Sequence, residues 1–283
     1  MSTCKCSEKE NNFDAKLAYE SLLHKNKQLT EIVAEYMMEA GLRRTERVSN
    51  AMELAEMLLR IIGGRETSDF PDCAFLHTNA GFCTGVLVHP RIVLTAAHCQ
   101  DLDIRQVLLN CTRLGDINTR VVPVQRIRVH PLYRPTTSIN DIMVLILQND
   151  APIPHVPIAT NADFTAAQTT TLVGFGRSEV GSGVKREVNV DIDQHTDINE
   201  AEAQLRFESD LEFTAGGRGF DSCNGDSGGP AYILTDSGRR VVGLTSRGFP
   251  PQGTCGEGGI YTRVDVHRDF IQQVAQESGI DFF

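Results

Sequence analysis

The chain has 283 residues, 41% of them hydrophobic and 23% charged, with a formal net charge of −10; this is ordinary globular composition and excludes a disordered tail. The acidic balance argues against a surface built to collect phosphates, so nucleic acid is not an expected partner and cationic groups are. No run approaches the roughly 20 apolar residues that cross a bilayer, and no membrane span is expected.

Residues 1–60 carry 9 basic and 10 acidic side chains, which leaves 18 and 27 for residues 61–283. The excess of acid therefore sits in the later part. Met1 to Asn12 is polar and lacks the apolar centre of a secretory leader, which predicts a cytoplasmic chain. The eight cysteines point the other way, to an oxidising compartment and a secreted protein.

Residues 13–60 show helical periodicity, through Leu17, Leu22, Leu23, Leu29, Ile32, Val33, Tyr36, Met37, Met52, Leu54, Ala55, Leu58 and Leu59. Gly41 reads as a stop, and Ser49 or Asn50 as the cap of a following helix. Two or three short amphipathic helices are predicted. They form either a pro-segment packed on the next domain or a separate recruitment or dimerisation module.

From Ile61 the texture changes. Gly85 to Val88, Ile92 to Ala96, Val107 to Asn110, Val121 to Val129, Ile142 to Leu147 and Val241 to Thr245 are short β-branched runs separated by Gly, Pro, Asn and Asp. That pattern predicts an all-β barrel or sandwich over residues 61–283. His267 to Glu277 again reads as a helix, with Phe270, Ile271 and Val274 on one side.

Three segments carry chemistry. Thr95-Ala96-Ala97-His98-Cys99 follows an apolar run, Asn140-Asp141-Ile142-Met143-Val144-Leu145 opens another, and Gly225-Asp226-Ser227-Gly228-Gly229-Pro230 is a glycine-rich turn. Peptide hydrolysis near neutral pH needs a hydroxyl activated by a base, a group that orients the base, and donors for an oxyanion. His98, Asp141 and Ser227 supply the first three in the order His, Asp, Ser, with separations of 43 and 86 residues.

In these segments the chain resembles the trypsin/chymotrypsin family of serine proteases, over residues 61–283. The resemblance implies two antiparallel six-stranded β-barrels with a C-terminal helix, and a catalytic triad of His98, Asp141 and Ser227. The same turn also matches the nucleophile elbow of α/β-hydrolases. That fold needs a helix after the serine, and here Pro230 and the strand-like Ala231 to Leu234 follow. The remaining histidines lack metal-ligand spacing and no His-Glu-x-x-His occurs, so no catalytic metal and no cofactor is expected.

The resemblance implies further roles. Gly225 and Ser227 would offer backbone N–H groups as the oxyanion hole. Asp221 would form the acidic floor of the primary pocket, with Gly248 and Gly259 as open walls, so the expected substrate is a protein or peptide with Arg or Lys before the cleaved bond. Ser246 to Gly248 would pair with substrate backbone as an added strand. Arg60-Ile61-Ile62-Gly63-Gly64 resembles an activation site, where cutting after Arg60 frees the α-amino group of Ile61 to pair with Asp226.

By the same resemblance Cys83 pairs with Cys99 and Cys223 with Cys255. Cys73 and Cys111 either pair or remain buried thiols, and Cys4 and Cys6 are left unassigned. Three features depart from the family: Arg247 stands where a Trp is usual, Thr84 where a Gly is usual, and Phe175 where another Trp is usual. The function expected is a serine endopeptidase made as a precursor. Its alternatives are a protease recruited or self-associated through residues 1–60, and a non-catalytic homologue.

Overall fold

The structure is a computed structural model that describes residues 64–77, 81–176, 182–193, 207–217, 222, 225–248 and 258–282. The chain divides into two units, Met1–Leu58 and Leu59–Phe283. The helices predicted over 13–60 lie outside the described residues, as do Arg60, Ile61, Asp221, Cys223 and Cys255.

A two-residue strand β1 (Arg65–Glu66) is followed by β2 (Cys73–His77), β3 (Phe82–His89), β4 (Ile92–Thr95), β5 (Gln106–Leu109), β6 (Arg120–Val129) and β7 (Met143–Leu147). Strands β2 to β7 close into a six-stranded antiparallel barrel in the order β2-β3-β4-β7-β6-β5. The second barrel comprises β8 (Thr169–Gly174), β9 (Arg186–Asp193), β10 (Glu212–Ala215), β11 (Pro230–Thr235), β12 (Gly238–Gly248) and β13 (Gly259–Arg263). It runs β9-β10-β13-β12-β11-β8, closes through β8 on β9, and carries β1 on the outer edge of β9.

Burial explains the sequence patterns. Every residue of β7 is buried, and a strand covered on both faces reads as a continuous apolar run. Strand β6 has one buried residue, Val122, among exposed and half-buried neighbours, so its polar positions survive in the sequence. One cluster, including Leu76, Leu87, Val93, Val107, Leu109 and Leu145, draws only on the first barrel's strands and adjoining turns. A second, including Leu172, Val188, Val190, Phe213, Val242 and Tyr261, belongs to the second barrel. A third takes Phe75, Leu94 and Val144 from the first barrel with Val173, Tyr232 and Leu244 from the second, and is the seam between them.

Two helices complete the described chain. The six-residue α1 (Asn161–Ala166) is closed by a reciprocal capping box, in which Thr160 Oγ1 accepts from the Asp163 N–H and the Asp163 carboxylate accepts from the Thr160 N–H. The predicted C-terminal helix is α2 (Arg268–Glu277), preceded by a 3₁₀ turn, Asp265–His267. Its Ile271, Val274 and Ala275 join the seam. No described helix is long and apolar enough to cross a membrane.

Candidate active site

Strand β4 hands the chain directly to a 3₁₀ turn, Ala97–Leu102, that carries His98. The turn is stapled to the start of β3 by the disulfide Cys83–Cys99, as the family resemblance implied. Asp141 lies just before β7 and is fully buried. Its Oδ2 is 2.7 Å from His98 Nδ1, and its Oδ1 accepts the backbone N–H of His98 at 2.9 Å. A carboxylate offers only acceptors, so His98 Nδ1 carries the proton of this hydrogen bond.

Two further contacts fix Asp141. Ser246 Oγ donates to Asp141 Oδ2 at 2.7 Å. The ladder between β12 and β13 shifts register between Thr245 and Arg247, and such a bulge re-aims the extra side chain. Thr262 Oγ1 donates to the Asp141 carbonyl at 3.3 Å. The preceding Asn140 has φ +55°, and its side chain ties to the Leu132 carbonyl and to His267 Nε2.

Ser227 sits in the turn before β11. Gly228 has φ +75°, and a Cβ there would lie 2.0 Å from Thr95 Oγ1 and 2.5 Å from the Ala96 nitrogen. The Ser227 turn is thus pressed on the segment that leads into His98, at a distance only glycine permits. Gly225 has φ +97°, and a Cβ there would strike the Phe82 ring. Asp226 is buried and accepts the Gly176 N–H at 2.7 Å.

Gly248 and Gly259 are direct partners across the β12–β13 ladder, so neither side of that pair projects a side chain. On its other edge β12 pairs with β11 only as far as Leu244. Among the described residues no strand occupies the far edge of Ser246 to Gly248.

Arg247 makes a contact that sequence reasoning missed. Its Nη1 and Nη2 donate to Glu212 Oε1 and Oε2 at 2.6 and 2.9 Å, and Nη1 lies 3.4 Å from Ser246 Oγ. Glu212 also accepts the Glu208 N–H at 3.1 Å. Burial pushes the Glu212 carboxyl above its ordinary value and the Arg247 guanidinium opposes the rise. One hydrogen-bonded chain therefore runs from Glu212 through Arg247, Ser246 and Asp141 to His98. An arginine in a position expected to be apolar signals a buried acid in general, but nothing local to Glu212 marks it.

The two thiols left open above are both free and buried. Cys73 Sγ lies 3.9 Å from the Val173 carbonyl, and Cys111 Sγ lies 3.0 Å from that of Arg113. Among the described residues no group of three or more His, Cys, Asp or Glu could hold a metal ion.

The family model described as Trypsin matches residues 61–271. Trypsin of Phaedon cochleariae is 32% identical over 76% of this chain and 88% of its own length, and trypsin of Saccharopolyspora erythraea is 31% identical over 75% and 97%. Spaetzle-processing enzyme of Drosophila melanogaster is 29% identical over 76% of this chain and 66% of its own length. The chain spans slightly less than two thirds of that relative. With the two barrels and this match, the chain belongs to the trypsin family of serine proteases.

Proposed function

We propose that the chain is a serine endopeptidase in which His98, Asp141 and Ser227 act as the triad. The observation that carries this reading is Asp141 held between His98 and Ser246, with the Ser227 turn locked on Thr95 and Ala96. Ser227 Oγ would attack the peptide carbonyl while its proton passes to His98 Nε2. The N–H groups of Gly225 and Ser227 would hold the oxyanion, and His98 would return the proton to the leaving amine. Water would then hydrolyse the acyl-enzyme by the same route.

Within this reading, Asp221 selects Arg or Lys, Gly248 and Gly259 keep the pocket open, and the free edge of Ser246 to Gly248 pairs with substrate backbone. The precursor is switched on by cutting between Arg60 and Ile61, whose new ammonium pairs with Asp226. That group titrates near pH 8 when free and higher in the pair, so the active form persists at neutral pH and is lost as pH climbs past the raised value. Residues 1–60 act as pro-segment or recruitment module. The Cys83–Cys99 bridge favours a secreted setting over the cytoplasmic expectation. The relative named for processing Spaetzle suggests a protein precursor as substrate.

The test is hydrolysis of a peptide panel varied at the residue before the cut, by intact protein and by protein beginning at Ile61. Cleavage after Arg and Lys by the shortened form alone is expected. A preference for Phe, Leu or Ala would remove Asp221 from the pocket. Full activity of an uncut Arg60→Gln protein would remove the switch.

A further inference from the structure

We propose that Thr84 is a positioning residue for the Gly225 to Ser227 loop, holding it through a side-chain hydroxyl as well as through its backbone. Thr84 lies in β3 and is fully buried. Its Oγ1 is 2.9 Å from the Gly225 carbonyl and 3.3 Å from the Phe175 nitrogen. The Phe175 N–H can only donate, so the hydroxyl accepts from Phe175 and gives its own hydrogen to Gly225. Both roles of a buried hydroxyl are thereby used, with no water needed to complete them.

The backbone of the same residue joins the loop on one side and the end of β4 on the other. The Thr84 N–H donates to the Ser227 carbonyl at 2.9 Å, and the Thr84 carbonyl accepts from Thr95 Oγ1 at 2.8 Å. The intervening Asp226 carbonyl accepts the Gly229 N–H at 2.7 Å. Three successive carbonyls, of Gly225, Asp226 and Ser227, are each held by a donor. Because C=O and N–H of one trans peptide share a plane, fixing these carbonyls fixes the N–H groups of Asp226, Ser227 and Gly228, that of Ser227 through the Asp226–Gly229 bond and its neighbours through Thr84.

The hydroxyl acts where the loop is weakest. Gly225 has φ +97°, and glycine has more backbone freedom to lose than any other residue. Holding its carbonyl removes the ψ rotation that would tilt the loop away from the site. This bond joins the loop to β3 and to the end of β8 rather than to the chain terminus. It therefore supports the loop by a route separate from the Asp226 pairing proposed above.

The inference rests on the serine-protease reading, and the experiment separates the two. Wild type, Thr84→Ser, Thr84→Ala and Thr84→Val are prepared as full chain and cut after Arg60. For each, kcat and KM are measured on the peptide amide that wild type cleaves fastest, with melting temperature and the affinity of a matching peptide boronate that mimics the tetrahedral intermediate. Thr84→Ser is expected within about threefold of wild type. Thr84→Ala and Thr84→Val should lose roughly 10-fold in kcat with KM little changed, and boronate affinity should fall by the same factor.

Equal kcat in the Ser, Ala and Val variants would overturn the positioning role. So would unfolding of both hydroxyl-free variants with Thr84→Ser folded, since the hydroxyl would then be a fold contact. A wild type that neither cleaves any peptide nor is labelled at Ser227 by a fluorophosphonate would instead overturn the function reading, and this inference with it.

Discussion

The two barrels share a strand count and solve burial differently. In the first barrel the strands are filled with aliphatic side chains, and among the described residues the only carboxylate fully buried between β2 and β7 is Asp141, with Asp72 buried just before β2 against Arg239 of the second barrel. The second buries Lys185 just before β9, Arg186 and Glu187 at its start, Glu212 at the start of β10 and Arg263 at the end of β13. Three of these meet an opposite charge: Arg65 reaches Glu187, Arg247 reaches Glu212, and Arg263 reaches Asp265, while Lys185 Nζ donates to the Phe70 carbonyl. Transfer from water costs a charge several kcal/mol unless a partner compensates it. The first barrel is thus held by shape and the second by shape plus matched charge, and substitutions should separate the two.

The largest effects belong to the site that joins them. Ser227→Ala and His98→Ala should each lower kcat by about 10⁶-fold with the fold retained, measured by single-turnover hydrolysis and circular dichroism. Near-normal turnover by either would break the assignment. Asp141→Asn should cost about 10⁴-fold, because an amide in place of the carboxylate favours the wrong His98 tautomer.

Next in size are the two modes of burial. Leu145→Ala in the first barrel removes a fully buried side chain and should cost about 3 kcal/mol in urea unfolding. Glu212→Ala strands the Arg247 charge and should cost about 3 kcal/mol as well. The distinction lies in rescue. Adding Arg247→Leu to Glu212→Ala should restore part of the loss, whereas no single neighbouring substitution restores Leu145→Ala. Absence of any rescue would erase the contrast.

A smaller effect depends on pH. Burial, aided by neighbouring His267, lowers His130 from 6.5 to about 4, and burial lowers His267 as well. Between about 4 and 6.5 the unfolded chain binds protons that the folded chain refuses. The stability contributed by neutral His130 is therefore fully present above pH 6.5 and is lost as pH falls towards 4. Melting temperatures from pH 7 to 4.5 should fall less steeply in His130→Gln than in wild type. Smallest of all, Thr160→Ala removes one arm of the α1 cap and should cost about 1 kcal/mol.

The same contrast governs what the sequence reveals. Strand β7 is legible because both its faces are buried and its five residues are all apolar, and β4 and α2 follow for similar reasons. Strand β9, Arg-Glu-Val-Asn-Val-Asp-Ile-Asp, alternates buried apolar and exposed polar residues from Val188 to Asp193, a period-2 signal that a closer reading would find, but the burial of its two opening charges is not legible. Helix α1 is short and buries no residue, yet Thr160 and Asp163 spell a capping box that a closer reading would find. At the site, His98, Asp141 and the Ser227 turn are recognisable because each stands in a distinctive local motif. Glu212 was illegible because its meaning depends on Arg247, 35 residues away and in another strand.

The ends of the described domain cross over. Strand β1, which precedes both barrels, pairs with β9 of the second, whereas α2, which follows both, packs Phe270 on His130 and brings Glu277 within 3.9 Å of Arg128 in the first. During synthesis the earlier barrel emerges with its helix-binding surface bare, and that surface is covered only once Arg268–Glu277 has emerged as well. The first barrel thus waits for α2, and β1 waits for β9, which gives the described domain a high mean sequence separation between contacts and a slow final step. Nascent chains arrested before Arg268 should be far more sensitive to added protease than the released protein.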